Sequence, residues 1–363
     1  MQAAVFRRAH EPVTIESVDI DQPSGREVLV RTAASGVCHS DLHYVDGSVS
    51  YTGSMPIVLG HEGAGVVEAV GDDVTTVRPG DHVIACLSGF CGTCQQCLTG
   101  HPNLCVNRII KRDRSAPPRL SQSGQPVMPF ADIGSYAEQM LCHENSLVQI
   151  DSDIPLDHAA LMGCGALTGL GAALRTSGLE AGQSVAVFGC GGVGLSIIQG
   201  ARIGGARQII AVDMYNRKLG MAEAVGATHV VNSSEQDPVT AIRELTRGEG
   251  VDHAFEAVGL PVLVRQAVES LAIRGTATIV GVLPTGSMIE FPWAALRPEC
   301  RVQTSRMGSN RFRVDIPRYL ELYRQGRLKL DEMVTRRRTL NDINDAFRAM
   351  KAGEVARSVL LFA

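Results

Sequence analysis

Four cysteines stand close together in one segment, at Cys91, Cys94, Cys97 and Cys105. Thiolates are strong zinc ligands, and four of them in one loop form a closed tetrahedral site. A closed site leaves no position for a substrate, so the pattern predicts a structural zinc ion. The main alternative is an iron–sulfur cluster, but the fourth cysteine comes too late for the ferredoxin pattern, and Val106 rather than proline follows it.

A second set of possible ligands is dispersed along the chain. It comprises Cys38, His61 with its neighbour Glu62, and Cys164. Two thiolates and one imidazole would hold zinc with one position open, which is the arrangement of a catalytic site. Spacing alone does not select this set, because a lone cysteine or histidine is more often a packed side chain than a ligand.

A glycine-rich segment predicts a dinucleotide site. Gly189, Gly191 and Gly194 follow an apolar strand candidate and open a helix candidate, with Gly192 and Val193 between them. The first glycine permits a tight turn, the second lets the backbone approach a pyrophosphate, and the third lets helix and strand pack closely. The free amide groups at the start of the helix would then face the phosphates.

The next strand candidate ends in Asp213, where an acidic residue receives the ribose hydroxyl groups of a bound dinucleotide. A carboxylate there would repel a 2′-phosphate, so the sequence favours NAD over NADP. Arg217 and Lys218 follow closely and would offset part of that repulsion, and Lys218 is itself a candidate cofactor contact.

Two different patterns of predicted secondary structure surround these residues. Residues 1–165 consist of short alternating segments broken by Gly, Pro and Asp, which indicates a β-rich domain. Within it, Val106–Asp132 is polar and non-periodic, which is typical of a long surface excursion. Residues 166–306 alternate short apolar strands with helical patterns, which predicts a parallel sheet covered on both faces.

Six strand candidates in residues 166–306 match a complete doubly wound dinucleotide-binding fold. They are Ser184–Phe188, Gln208–Val212, His229–Val231, His253–Glu256, Thr276–Gly281 and Val302–Ser305. The helix candidates between them are Val193–Ile203, Arg217–Ala224, Val239–Thr246 and Pro261–Leu271. Residues 307–363 contain helical patterns at Pro317–Arg324 and Leu340–Ala352 and a strand candidate at Ser358–Phe362. We expect this last segment to pack back on the first domain and complete it.

Composition limits the classes of partner. The chain has 363 residues, of which 45% are hydrophobic, and a formal net charge of −4. The apolar fraction excludes general disorder, and the mild negative charge argues against nucleic acid and anionic membranes as partners. The uncharged run from Ala181 to Ala201 has glycines in its middle, which favours strand, turn and helix over a membrane span. The mild negative charge suits small-molecule partners, and the first residues contain no apolar signal segment, which predicts a cytoplasmic location.

These motifs, in this order, resemble the zinc-dependent medium-chain alcohol dehydrogenase family over essentially the whole chain. The resemblance rests on Cys38-His-Ser-Asp41, Gly60-His61-Glu62, the four-cysteine loop and Gly189–Gly194. It implies a β-rich GroES-like catalytic domain split around a Rossmann domain. It also implies NAD, two zinc ions per chain (one catalytic and one structural), and hydride transfer between NAD and an alcohol or aldehyde.

The resemblance further assigns residue roles. It implies Cys38, His61 and Cys164 as catalytic zinc ligands, Glu62 as an acid behind the metal, and Asp41 as the carboxylate that orients His61. By the same resemblance, Ser40 takes the substrate proton, the cofactor ribose relays it, and His43 delivers it to solvent. The remaining expected cofactor contacts are His39 and Arg357 at the pyrophosphate, and Thr168, Val258, Val280, Val282 and Met307.

The substrate pocket is expected to be apolar, which favours an alkyl or aromatic primary alcohol over a sugar. Its candidate residues are Leu87, Ile110, Phe130, Val282 and, less directly, Val49, each of which core packing explains equally well. Arg306 would either favour an anionic group or face solvent. A glutathione-linked formaldehyde dehydrogenase is an alternative, although Ile109 stands where those enzymes carry arginine, with Arg108 adjacent.

Three more functions are compatible with the fold that the resemblance implies. One is a polyol dehydrogenase of the same family, another is a catalytically silent NAD-binding zinc protein, and the third is a zinc-free NADPH reductase. The long Val106–Asp132 excursion resembles the dimeric members of the family. It implies a homodimer joined near Thr278–Met288 and Phe291–Ala295, with a tetramer as the alternative.

Overall fold

The computed structural model describes residues 1–107, 110–113 and 116–363, and these form two compact units. The first unit comprises residues 1–164, 311–321 and 334–363, and the second comprises residues 165–310 and 322–333. This division differs from the predicted one in the last segment, because residues 307–310 and 322–333 cluster with the second unit. The second unit is thus inserted into the first.

Short strands dominate the first half of the chain, and strands alternate with helices in much of the second half. The strands are β1 (Gln2–Phe6), β2 (Thr14–Ser17), β3 (Asp19–Ile20), β4 (Glu27–Gly36), β5 (Ile57–Val58), β6 (Gly63–Val70), β7 (His82–Ala85), β8 (Leu120–Gln122), β9 (Gln125–Pro129), β10 (Gln139–His143), β11 (Leu147–Ile150), β12 (Ser184–Phe188), β13 (Gln208–Asp213), β14 (His229–Asn232), β15 (Val251–Glu256), β16 (Leu271–Ile279), β17 (Arg301–Thr304), β18 (Val334–Arg338) and β19 (Arg357–Leu361). The α-helices are α1 (His39–Val45), α2 (Gln95–Leu98), α3 (Leu156–Ala159), α4 (Gly165–Gly171), α5 (Gly192–Ile203), α6 (Asn216–Val225), α7 (Pro238–Leu245), α8 (Pro261–Glu269), α9 (Phe312–Arg324) and α10 (Ile343–Lys351).

The first unit is built on two sheets. One has the strand order β2-β1-β5-β9-β8-β3, and the other has the order β11-β7-β6-β4-β19-β18, with β10 paired to β4. Strand β4 is central, because β6, β10 and β19 all pair with it antiparallel. Its Val28 and Val30 are fully buried in an apolar cluster with Val67 and Val83, so the predicted β-rich domain is confirmed.

The Val106–Asp132 segment is not only a surface excursion, which corrects the sequence interpretation. Strands β8 and β9 form an antiparallel hairpin within it, and β9 pairs with β5. The hairpin turns at Ser123 and Gly124, which both have positive φ, as a two-residue turn requires. Leu120 and Val127 are buried in a core cluster, which gives this polar segment its anchor.

The second unit contains a parallel sheet with the strand order β14-β13-β12-β15-β16-β17. Among the described residues the sheet has six strands, and the predicted doubly wound fold is confirmed. Its apolar core includes Phe188, Ile210 and Ala254, and such all-apolar strands are typical of a sheet covered on both faces. The order reverses between β12 and β15, where a doubly wound sheet opens its ligand crevice.

The helix that ends at Arg324 begins earlier than the sequence pattern predicts. The pattern places Pro317 at its start, but α9 begins at Phe312 and Pro317 lies inside it. Phe312 and Ile316 are buried, so their packing stabilises the turn that precedes the proline. Within the described residues, no helix has both the length and the apolarity needed to cross a membrane.

Candidate active site

The dispersed ligand set converges in the first unit. One possible ligand atom from each of Cys38, His61, Glu62 and Cys164 lies within 4.8 Å of the others, and all four residues are buried. Cys38 precedes α1, His61 and Glu62 precede β6, and Cys164 ends the first long segment of the unit. Two thiols, an imidazole and a carboxylate therefore meet in one buried place, as a catalytic zinc site requires.

The orientation of the His61 ring is set by Asp41. His61 Nδ1 lies 3.3 Å from Asp41 Oδ1, and the backbone N–H of Gly60 donates to the same oxygen at 3.0 Å. Tyr136, a residue that sequence reasoning missed, donates its hydroxyl to Asp41 Oδ2 at 2.9 Å. Among the described residues His61 Nε2 has no hydrogen-bond partner, although it is buried, so this nitrogen fits a metal ion.

The electrostatics of the cluster also favour a cation. Burial disfavours the charged form of His61, but the negative charges of Asp41 and Cys38 outweigh it and raise the pKa of His61 to about 10. A hydrogen bond with Cys164 and the charges of His61 and Arg357 hold the pKa of the Cys38 thiol well below its ordinary value. A group of side chains that stabilises positive charge this strongly is suited to a divalent ion.

Arg357 contacts Glu62 in this structure. Its guanidinium donates from Nη2 to Glu62 Oε2, and both side chains are buried. The contact belongs to the metal-ligand cluster, whereas the sequence predicts Arg357 only at the cofactor pyrophosphate. Its Nε is buried and has no hydrogen-bond partner among the residues described, so the guanidinium has a donor left for an anion.

Helix α1 carries His39, Ser40 and His43, which are expected to act on the cofactor or on the substrate proton. Ser40 and His43 are one turn apart on this helix and therefore share a face. The rings of His39 and His43 have centroids 5.3 Å apart, and His39 is exposed. His43 Nδ1 is buried without a hydrogen-bond partner in the described part of the chain.

The four-cysteine loop forms a second cluster in the first unit. The sulfur atoms of Cys91, Cys94, Cys97 and Cys105 lie within 4.8 Å of one another. Backbone N–H groups of Thr93 and Cys94 donate to Cys91 Sγ at 3.4 and 3.2 Å, which stabilises a thiolate there. Four converging sulfurs fit a closed zinc site and leave no ligand position open.

The glycine-rich loop of the second unit has the predicted form. It connects β12 to α5, and Gly189 has a φ of 97°. A Cβ atom on Gly194 would lie 1.7 Å from the Gly189 carbonyl oxygen, so only glycine fits there. A Cβ on Gly191, in contrast, would meet open space, which is the side from which a pyrophosphate would approach.

Asp213 ends β13 beside this loop. Its Oδ2 accepts the N–H of Cys190 at 2.8 Å, and its Oδ1 accepts the N–H of Tyr215 at 3.1 Å. Lys218 Nζ lies 3.9 Å from the carboxylate and over the Tyr215 ring. The carboxylate is therefore held in place by backbone groups and keeps lone pairs for ribose hydroxyl groups.

The other cofactor candidates in the second unit make local contacts. Thr168 Oγ1 donates to Met307 Sδ at 3.5 Å. The loop that carries Val258 is held by Glu256, whose buried carboxylate accepts N–H groups from Val258 and Gly259 at 2.8 and 2.7 Å. Val280 and Val282 follow β16, and the Val282 backbone packs against Gly259.

The pocket candidates differ in position. Phe130 contacts the His61 ring edge-on, with centroids 5.4 Å apart, and Tyr44 packs on Phe130 at 5.3 Å. Leu87 is half-buried against a core cluster. Ile110 is buried, and its carbonyl accepts a hydrogen bond from Arg119.

Three further pocket candidates are exposed or half-buried. Arg306 and Val282 belong to the second unit and are exposed. Val49 is half-buried in the first unit. Arg108 and Ile109, on which the formaldehyde dehydrogenase alternative depends, lie outside the described residues.

Comparison with known proteins identifies the family. The alcohol dehydrogenase GroES-like domain matches residues 24–152, and the zinc-binding dehydrogenase domain matches residues 192–324. S-(hydroxymethyl)glutathione dehydrogenase of Saccharomyces cerevisiae is 38% identical, covering 99% of this chain and 95% of that protein.

Solved structures agree with this match. An alcohol dehydrogenase zinc-binding domain protein from Burkholderia ambifaria is 38% identical with a TM-score of 0.94, covering 100% of this chain and 98% of that one. Benzyl alcohol dehydrogenase from Acinetobacter calcoaceticus is 35% identical with a TM-score of 0.92, covering 100% and 99%. The chain therefore belongs to the zinc-dependent medium-chain alcohol dehydrogenase family, and it is a zinc-containing, NAD-dependent oxidoreductase.

Proposed function

We propose that this enzyme interconverts an apolar alkyl or aromatic primary alcohol and its aldehyde, with Cys38, His61 and Cys164 holding the catalytic zinc. The observation that carries the proposal is the contact between the Phe130 and His61 rings at 5.4 Å. It puts an aromatic side chain directly on a residue of the ligand cluster. Tyr44 and Tyr51 extend the row from Phe130, with centroid distances of 5.3 and 5.5 Å.

A row of aromatic side chains of this kind would select substrates by their shape and polarity. Aromatic rings pack edge-to-face with one another, so a benzylic substrate would gain such contacts where a polyol would lose hydrogen bonds to water. The relative from Acinetobacter calcoaceticus is a benzyl alcohol dehydrogenase, which supports an aromatic substrate. The yeast relative is an S-(hydroxymethyl)glutathione dehydrogenase, which makes that adduct the second substrate to test.

Zinc at this site supplies Lewis acidity that lowers the pKa of an alcohol hydroxyl group, and NAD supplies the hydride acceptor. The side chains of the first unit prepare for that chemistry. Asp41, whose oxygens lie 3.2 and 3.3 Å from His61 Nδ1, would hold the proton of a neutral His61 on that nitrogen and so leave Nε2 to the metal. Arg357 neutralises Glu62 in a place where an unpaired carboxylate would be costly.

Proton transfer falls to Ser40 and His43. We assign Ser40 Oγ as the group that receives the substrate proton, and the His43 ring as the group that releases it to solvent. Their shared helix face supports this assignment, and histidine is the side chain that enzymes use most often for proton transfer.

The remaining roles follow the same reasoning. We assign Cys91, Cys94, Cys97 and Cys105 to the structural zinc ion. The cofactor loop, Asp213 and Lys218 would bind the adenosine half of NAD, as the carboxylate position supports. Val258, Val280 and Val282 would contact its nicotinamide half, with Thr168 and Met307 beside them. His39 and Arg357 are assigned to the pyrophosphate.

A substrate panel combined with metal analysis tests the proposal. Zinc per chain is measured by elemental analysis, and NADH formation is followed with benzyl alcohol, 1-hexanol, sorbitol and S-(hydroxymethyl)glutathione. We expect two zinc ions per chain and the highest kcat/KM with benzyl alcohol or hexanol. The highest value with S-(hydroxymethyl)glutathione or sorbitol would overturn the substrate assignment, and one zinc with no turnover would overturn the catalytic one.

We also propose a homodimer joined through the second unit. Met288 and Trp293 are 79% and 83% exposed, and β17 lies at one end of the parallel sheet. Exposed large apolar side chains and an edge strand are both features that pairing with a second copy would cover. Trp293 is the single tryptophan of the chain, so its fluorescence reports on this surface. A sedimentation mass of one chain at micromolar concentration would contradict the dimer.

A further inference from the structure

The side chain of Tyr136 connects two parts of the ligand cluster, although it is not itself a ligand. It is fully buried, and its ring packs against Phe347. Its backbone N–H donates to the Leu59 carbonyl at 3.0 Å, and its carbonyl accepts the Ala4 N–H at 2.8 Å. The residue is thereby fixed beside the turn that carries His61.

The hydroxyl group makes three polar contacts. It donates to Asp41 Oδ2 at 2.9 Å and accepts the N–H of Cys38 at 3.4 Å. The Gly36 carbonyl oxygen lies 3.5 Å away. One hydroxyl thus links the backbone of a cysteine ligand to the carboxylate that orients the histidine ligand.

The carboxylate of Asp41 depends on these donors because it is fully buried. Its Oδ1 accepts the Gly60 N–H and its Oδ2 accepts the Tyr136 hydroxyl, while His61 Nδ1 lies 3.3 Å from Oδ1 and 3.2 Å from Oδ2. A buried carboxylate that loses a donor turns toward the remaining ones. Rotation of Asp41 would change the direction of the His61 ring and hence the position of Nε2.

We propose that the Tyr136 hydroxyl is a positioning group for the catalytic zinc, acting through Asp41 on His61 and through the backbone on Cys38. The proposal rests on the assignment of Cys38, His61 and Cys164 as zinc ligands. Partners of this kind typically change metal affinity by about 10–100-fold. The structural zinc of the Cys91 loop should not respond to Tyr136, because the polar contacts of this hydroxyl in the described chain lie in the other cluster.

The test compares zinc release from Tyr136→Phe and wild-type holoenzyme into a chromogenic chelator. The control is Tyr323→Phe, which removes another tyrosine–carboxylate bond, to Asp331 at 3.1 Å, in the second unit. We expect two release phases in the wild type. In Tyr136→Phe the phase assigned to the Cys38 site should be about 10–100-fold faster, with the other phase and the control unchanged.

Two additions make the outcome specific. Cobalt substituted at the catalytic site should show a shifted visible absorption spectrum in Tyr136→Phe, a readout that does not depend on activity. The double variant Tyr136→Phe/Asp41→Asn should release zinc no faster than Asp41→Asn alone, if the hydroxyl acts through the carboxylate.

The results separate two kinds of failure. A wild-type enzyme with no zinc at the Cys38 site contradicts the proposed function itself. Wild-type zinc at that site with equal release from Tyr136→Phe overturns only the role of the hydroxyl. A Tyr136→Phe protein that loses both metals together, or fails to fold, also overturns it, because the hydroxyl would then serve the whole unit.

Discussion

The metal-ligand cluster of the first unit and the glycine-rich loop of the second unit are built in opposite ways. The cluster consists of side chains that the fold brings together from Cys38, His61 and Cys164. The loop consists of backbone, and its form depends on the absence of a Cβ at Gly194 and on the positive φ of Gly189. The first arrangement requires long-range packing, whereas the second is nearly complete within one strand, one turn and one helix.

The cluster and the loop also differ in the number of charged side chains that they bury. The cluster places two thiols, an imidazole and one carboxylate in a buried region, with the carboxylate of Asp41 beside them, and each charge there needs a partner. The loop contains no ionised side chain of its own, and the carboxylate of Asp213 beside it is held by backbone N–H groups. The metal-ligand cluster should therefore be sensitive to a change in the chemical type of a side chain. The glycine-rich loop should instead be sensitive to a larger side chain.

The largest expected effect comes from a change in the chemical type of a metal ligand. Cys38→Ser should remove the catalytic zinc and lower kcat/KM by about 1,000-fold or more, because a neutral hydroxyl is a poor zinc ligand. Zinc content should fall from two ions per chain to one. Cys86→Ser is the matched control, since Cys86 is also buried but does not belong to the ligand set. A Cys38→Ser enzyme that keeps both zinc ions and its activity would show that the metal-ligand cluster tolerates a change in the chemical type of this side chain.

The next largest effect is expected from a larger side chain in the glycine-rich loop. Gly194→Ala should weaken NAD binding by about 100-fold, roughly 2.7 kcal/mol, because its Cβ would collide with the Gly189 carbonyl and displace the loop. Gly220→Ala is the control, since a Cβ there meets nothing within 4 Å. The dissociation constant of NADH is measured by fluorescence. Binding within threefold of wild type in Gly194→Ala would show that the loop adapts to a side chain.

The smallest effect concerns the buried charges that support the first unit. Burial alone would raise the pKa of Glu144, but hydrogen bonds from Thr76 and Arg26 lower it to about 2. A carboxylate with a depressed pKa stabilises the fold fully above its unfolded pKa of about 4.3, and this stability is lost as the pH falls toward 2.

Thermal unfolding measured between pH 7 and pH 3 checks this effect. Glu144→Gln should cost about 2 kcal/mol at pH 7 and about half as much at pH 3, so the difference between the variant and the wild type narrows as the pH falls toward 2. Glu299→Gln is the control, because Glu299 pairs with Arg274 at the exposed surface. A cost that stays constant with pH would show that the charge of Glu144 does not matter.

The same contrast explains how much could be predicted from the sequence. The cofactor loop and the Cys91–Cys105 cluster are predictable from spacing, because their residues are neighbours in the chain. The Cys38, His61 and Cys164 set required a family resemblance, since no local pattern connects its members.

Several features had no sequence signal of sufficient strength. Tyr136 was missed because a single buried hydroxyl leaves no periodic pattern. The contact of Arg357 with Glu62 depends on the pairing of β19 with β4 from opposite ends of the chain. The β8–β9 hairpin was missed because its strands are short and polar, although Ser123-Gly124 is a recognisable turn.

The insertion of the second unit into the first has a consequence for biosynthesis. As the chain emerges from the ribosome, residues 1–164 appear before the second unit, but β19, which pairs with β4, and Arg357, which neutralises Glu62, appear after it. The first unit is therefore incomplete until residues 334–363 are synthesised, whereas the second unit is available earlier. During that interval the proposed zinc ligands of the first unit are already synthesised, while the sheet in which β19 pairs with β4 is unfinished. Nascent chains should therefore acquire the cofactor-binding fold before a complete metal site.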